Sequence, residues 1–184
     1  MNPKHKDNPC EESSEFDFNK FKHFLHYIIS KTNNHGNVGK TVLFKILYFT
    51  DFNYYELFEE KLSGETYLKY PYGPAPCDFD VAILALKEEG LIKETKSNYG
   101  TYRQIKYSSN SEPDTSKFSK EDLEFIDKSI STYSKFNATK ISDYSHKDTQ
   151  YVVAEDFKEL DYELVFYRDP SLSVRVYDDA LVIV

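Results

Sequence analysis

The stretch GKTVLFKILYFTDFNYYELF, residues 39–58, decides how the rest of the chain has to fold. Val42, Leu43, Phe44, Ile46, Leu47, Tyr48, Phe49 and Phe52 fall on almost every side of a helix. A surface helix carries one apolar stripe, whereas a helix that is apolar all round needs neighbours all round. The pattern predicts a central, buried helix from about Val38 to Phe58. Lys45 and Asp51 interrupt it, and the ordinary place for such residues is an edge or end position with the charged tip reaching solvent.

The same stretch opens on Gly39-Lys40-Thr41, which invites a nucleotide-binding reading. A phosphate loop needs a glycine five positions before that Gly, delivered by a buried strand. Here the preceding glycine is Gly36, the required position holds Asn34, and Phe18, Phe21, Leu25 and Ile28 upstream recur at helical spacing. A helix from Phe16 to Thr32, closed by Asn33-Asn34-His35-Gly36, predicts a helix–helix connection instead, with Lys40 and Thr41 in the first turn of the next helix.

Downstream, ETYLKYPYGPAP (residues 65–76) is extended, because its prolines and glycine oppose helix. It would present Tyr67, Tyr70 and Tyr72 from a stiff segment, either to a partner or to the core. APCDFDVAILALKEEG then predicts a short helix with Pro76 in its first turn and Gly90 ending it. Leu91–Thr95 and Tyr102–Tyr107 predict a hairpin around Ser97-Asn98-Tyr99-Gly100. After a polar linker at 108–118, Ser119 and Asp122 form a capping-box variant ahead of an amphipathic helix. Two short helices parted near Ser145-His146 follow. Strands at Glu163–Tyr167 and Leu172–Val176 and a final apolar run complete the expectation. The fold class is α+β and mostly helical. It comprises a polar arm over residues 1–15 and one helical domain over 16–184, with a short hairpin and C-terminal strands within 163–184.

Composition narrows the function. The chain has 184 residues, 40% of them hydrophobic and 16% aromatic, enough for a real core. No apolar run is long enough to cross a bilayer, and the N-terminus has no apolar signal region. Two cysteines, Cys10 and Cys77, do not suggest a disulfide framework, so a reducing cytoplasm is the simplest setting. Residues 1–110 are nearly balanced at −1, while 111–184 carry −7. That acidic half argues against broad nucleic-acid binding and suits solubility or a basic partner.

Catalytic patterns are missing: no nucleophile elbow, no Cys–His pairing, no H-E-x-x-H, and no carboxylate spacing that singles out an acid–base pair. A non-enzymatic protein without cofactor or metal is expected. His23 and His26 share a helical face but lack a third ligand, which predicts a surface pair. His146 stands at a helix junction, where a hydrogen-bonding role is the simpler reading than acid–base chemistry. Helix 76–89 with hairpin 91–107 resembles the closing half of a winged helix. In that reading Lys96 and Arg103 would contact phosphates, but acids crowd the helix that would enter the groove.

One combination is more specific. Lys45-Ile46-Leu47-Tyr48-Phe49-Thr50-Asp51, then Tyr72-Gly73-Pro74-Ala75-Pro76, then Leu86 with Gly90-Leu91-Ile92, and loosely Ile141-Ser142-Asp143-Tyr144-Ser145-His146 resemble the Panacea (SocA-like) antitoxin domain. The resemblance covers about residues 20–155, and Thr50 departs from the family's small apolar residue. It implies a bacterial or phage-encoded antitoxin that binds and neutralises a cognate toxin encoded beside it, with delivery to an ATP-dependent protease as a variant. The partner-binding set it suggests is Tyr72, Gly73, Pro74 and Pro76, with Lys45, Asp51 and His146 as polar neighbours. The final Ala180-Leu181-Val182-Ile183-Val184 would serve a protease adaptor as a recognised tail, or else pair as a strand.

Overall fold

The computed structural model describes residue 10 and residues 16–176. The expected arm and the apolar end at 180–184 therefore lie outside the described residues, apart from Cys10. The chain is α+β and mostly helical. Helix α1 (Phe18–Lys31) is capped by Asp17, and α2 (Lys40–Phe58) starts directly after Gly39. Lys40 and Thr41 do open α2, as the helix–helix reading requires.

Helix α2 is the axis of the molecule. Strand β2, helices α1, α4 and α5 and a C-terminal 3-10 helix all pack on it. Its apolar residues from Val42 to Phe52 are buried apart from the half-buried Phe44. Stacked pairs hold the neighbours: Phe49 on Tyr133 of α4 at 4.6 Å, and Phe52 on Tyr162 at 4.0 Å between ring centroids. Such pairs contribute about 0.5–1.5 kcal/mol each beyond their burial.

Strands β1 (Tyr67–Tyr70) and β2 (Gly73–Pro76) pair antiparallel across the two-residue connection Pro71-Tyr72. The partners are Tyr67 with Pro76, Leu68 with Ala75, Lys69 with Pro74 and Tyr70 with Gly73. Cys77 N donates to Thr66 O, so ladder bonds alternate through the Ala75 and Gly73 positions. Pro74 and Pro76, which have no N–H, fall on the intervening positions and cost the ladder nothing. The free side of β1 is taken by residues 157–160, through Lys69 N to Lys158 O, Phe157 N to Lys69 O and Leu160 N to Tyr67 O. Pro76 thus ends β2 instead of opening the next helix.

Helix α3 (Phe79–Glu88) begins three residues later than Pro76 and stops at Gly90, whose φ of +73° is the left-handed stop expected there. Strands β3 (Ile92–Tyr99) and β4 (Tyr102–Ser109) form the second hairpin. Its turn is Gly100-Thr101, beyond the expected position, because Gly100 supplies the positive φ that a two-residue turn needs.

Helix α4 (Lys120–Tyr133) carries the full capping box of Ser119 and Asp122. Helices α5 (Ala138–Ser145) and α6 (Thr149–Val153) flank the junction at His146 as anticipated.

Three expectations are corrected. Tyr162–Tyr167 is the 3-10 helix, and residues 172–176 form no strand. Tyr162 and Val165 are three apart and both buried, the spacing of a 3-10 turn rather than of a strand, and Tyr162 stacks on Phe52 of α2. Cys10 and Cys77 are disulfide-bonded, with Cα atoms 5.7 Å apart, Cys77 standing directly after β2. His26 is buried, 2.8 Å from Ser109 Oγ through Nε2, since the end of β4 covers that face of α1. His23 lies 3.8 Å from Asp114, and no described His, Cys, Asp and Glu side chains group as a metal site.

Candidate partner-binding groove

Lys45 and Asp51 are buried, not solvent-reaching, because elements close over α2 on every side. Lys45, a residue 1% exposed, donates through its ammonium to Pro74 O at 2.9 Å. Burial pulls its pKa down to about 7. No carboxylate lies within ion-pair distance of it among the described residues.

Gly73 is fixed by the same contact. Its φ is +93°, and a Cβ there would come within 2.6 Å of Lys45 Cε and closer still to Ser145 Oγ. Only glycine lets β2 approach α2 and the end of α5 this closely. Three separated parts of the chain (45, 73–74 and 145–146) therefore meet. At the junction His146 stacks on Tyr151 at 4.7 Å, and Tyr151 OH donates to Tyr70 O at 2.8 Å. Burial, then the nearby Lys45 charge, lowers the His146 pKa. Its Nε2 is buried without a hydrogen-bond partner.

A second buried centre lies a turn and a half along α2. Asp51 accepts from Ser63 N at 3.0 Å, Ser63 Oγ at 2.7 Å and Tyr67 OH at 2.5 Å. Burial still raises its pKa to about 6, against the pull of those donors. Glu65 beside it accepts from Thr66 N and Asp78 N. Burial, then the charges of Asp78 and Asp51, lifts Glu65 to about 9, so it is protonated at neutral pH. This pair fixes the loop that leads from α2 into β1.

The third centre was missed by the sequence reading. Arg168 grips Asp148 through two bonds, Nε–Oδ1 at 2.9 Å and Nη2–Oδ2 at 2.7 Å, and reaches Glu56 at 2.6 Å and Asn53 at 2.7 Å through Nη1. Tyr48 OH also donates to Asp148. Asp148 caps α6, so one guanidinium ties α2, α6 and the C-terminal segment together. A lone arginine before Asp169-Pro170 gave no signal of this; only the fold brings its partners within reach.

A groove of about 1040 Å³ runs between the start of α2, hairpin β1–β2, the tip of hairpin β3–β4 and the start of α5. Lys45 lines its floor, and Tyr70, Tyr72, Tyr99 and Tyr102 line its sides. Tyr72 and Tyr102 are the most open, at 78% and 73% exposed. Of the residues expected at a partner surface, Tyr72 alone is exposed. Gly73, Pro76 and Lys45 are buried and line the groove, Pro74 and Asp51 are buried outside its lining, and His146 is half-buried. Tyr67 goes to the core, so the extended segment divides its tyrosines between interior and surface.

On the hairpin expected to act as a wing, Lys93, Lys96 and Arg103 are exposed. The outward residues of α3 and its end include Asp80, Glu88 and Glu89, together with Val81 and Leu84. Phosphates would repel the acids of that surface. Among the described residues no helix is long and apolar enough to cross a membrane.

The chain is thus an α+β domain built on one buried helix, with a tyrosine-rimmed groove above a buried lysine. The sequence model of "Antitoxin SocA-like, Panacea domain" matches residues 43–151, and the chain belongs to that family. The matched region holds Lys45, Asp51, Gly73 and His146, while Arg168 lies beyond it. No curated protein and no solved structure matches the chain significantly.

Proposed function

We propose that the protein neutralises a cognate toxin, encoded beside it in a bacterial or phage genome, by binding the toxin directly in the tyrosine-rimmed groove. Family membership supports the antitoxin role. The observation that carries the direct-binding reading is the pairing of exposed Tyr72 and Tyr102 across a rigidly supported groove. Tyrosine offers a large contact area with few rotors to freeze, and a backbone pinned by Lys45 and Gly73 is preorganised. In this reading Gly73, Pro74, Pro76, Asp51 and His146 hold the surface in shape, Lys45 both pins β2 and lines the groove, and Tyr72 and its neighbours touch the partner. The action is stoichiometric, not catalytic, and takes place in the cytoplasm where the toxin is made.

The test is growth of cells expressing the adjacent open reading frame, with and without this protein, followed by co-purification. Relief of toxicity with a recovered complex is the expected result. A harmless neighbour, or toxicity that persists beside soluble protein, would refute the proposal.

A further inference from the structure

Resting on the antitoxin reading, we infer that the groove takes an acidic segment of the partner polypeptide, with one of its carboxylates paired to the Lys45 ammonium. The ammonium has three protons, and the Pro74 carbonyl accepts one of them. A charge buried without its counter-charge is costly, and a partner's carboxylate supplies what is missing. Burial has already lowered the Lys45 pKa, and an incoming anion would restore the charged form.

The rest of the groove has the same sign. The protein carries −8 overall, yet among the described residues the charged side chains lining the groove are Lys40, Lys45 and Arg103 against Asp80. Lys40 is paired with Asp80 at 2.6 Å, which leaves Lys45 and Arg103 in excess. Helix α2 enters the groove with Gly39 as its N-cap and no side-chain cap, so its first-turn N–H groups add positive potential there. Tyrosines along both sides of an open trough suit an extended peptide, flanking the carboxylate with apolar contact. A basic segment, by contrast, would meet the exposed Arg103 and be repelled by the Lys45 charge beneath it.

Fluorescence anisotropy with the full-length protein tests this. The probes are fluorescein-labelled Glu-Ala-Glu-Leu-Glu-Ala and its counterpart with Gln for each Glu, with inorganic phosphate as competitor. The Glu peptide should bind at least about tenfold tighter than the Gln peptide, as expected for a charge-assisted contact. Lys45→Met should abolish that preference, and phosphate at matched ionic strength should not displace the peptide. Equal binding of the two peptides, or an unchanged preference in Lys45→Met, overturns the inference. So does displacement by phosphate, which would make the site one for a free anion.

NMR of wild-type protein labelled with ¹³C,¹⁵N-lysine gives a readout that needs no variant. The Lys45 resonance should shift with the Glu peptide and stay put with the Gln peptide; the converse refutes the inference. Failure of the antitoxin reading shows up separately. If Lys45→Met captures the toxin as well as wild type does, the inference falls and the antitoxin reading stands. If wild type captures no toxin, the antitoxin reading falls, and the inference falls with it as a statement about that partner.

Discussion

The Lys45 ammonium donates to the Pro74 carbonyl at 2.9 Å, tying the middle of the buried helix to the outer edge of β2. Gly73 makes that approach possible. Gly73→Val would add a Cβ against Lys45 and Ser145 and force a branched residue to φ +93°. Positive-φ strain and overpacking together predict a loss of about 3 kcal/mol or more. Urea unfolding should show a lower midpoint, and a midpoint within error of wild type would contradict the packing described.

Glu65 makes stability depend on pH. Its folded pKa of about 9 lies above its ordinary 4.5, so between these values the folded state holds a proton that the unfolded chain has released. Stability from this group is complete below pH 4.5 and falls as pH rises toward 9. Asp51, raised from 3.8 to about 6, acts in the same direction between those values. Lys45, lowered from 10.5 to about 7, acts oppositely, and stability rises with pH across that range. Comparing Glu65→Gln with wild type isolates one group. The stability difference between variant and wild type should climb in the variant's favour by about 1.4 kcal/mol per pH unit from pH 5 to pH 8. A flat difference would show Glu65 ionised in the folded protein.

Arg168→Met removes the cation shared by Asp148 and Glu56, both buried. Leaving such carboxylates unpaired costs about 3–5 kcal/mol. Chemical denaturation measures the loss directly. A loss below about 1 kcal/mol would mean that the C-terminal segment is not held by this contact.

Much of this was legible in advance, and the misses share a cause. Helix α2, the capping box at Ser119 and the glycine stop at Gly90 are written in residues a few positions apart, where local geometry decides. The Arg168 network and the Cys10–Cys77 bond join residues 112 and 67 positions apart. No local pattern records such meetings. Lys45 and Asp51 misled for a related reason: a charged residue on an apolar helix normally reaches water, and here β1–β2 and the loop before it close over both. The same closure separates the expected site into an exposed part, Tyr72, and a buried support. Tyr102, across the groove, belongs to the hairpin tip and gave no signal of its own.

Tyr72→Ala and Tyr102→Ala should therefore behave unlike the buried variants. Both rings are mostly exposed, so stability should stay within about 0.5 kcal/mol of wild type. Toxin affinity should fall by about 2 kcal/mol, roughly thirtyfold in Kd, if either ring anchors the partner. Calorimetry on the purified complex gives the number. Unchanged affinity in both variants would move the binding surface elsewhere.

The cysteines offer a check on the compartment. Cytoplasmic thiols are kept reduced, so neutralisation in growing cells should not need the Cys10–Cys77 bond. Cys10→Ser with Cys77→Ser should rescue growth as wild type does. Loss of rescue at equal soluble protein would show that the bond serves the function.

The alternation of Gly73-Pro74-Ala75-Pro76 also determines what the small sheet cannot do. One flank already carries residues 157–160, and the other offers no backbone donor at either outward-facing position. The one acceptor nearest the groove, Pro74 O, is occupied by Lys45. Neither a foreign strand nor a second copy of the chain can extend this hairpin edge to edge. Whatever docks here must be recognised by its side chains, so that sequence, and not mere extended backbone, selects the partner.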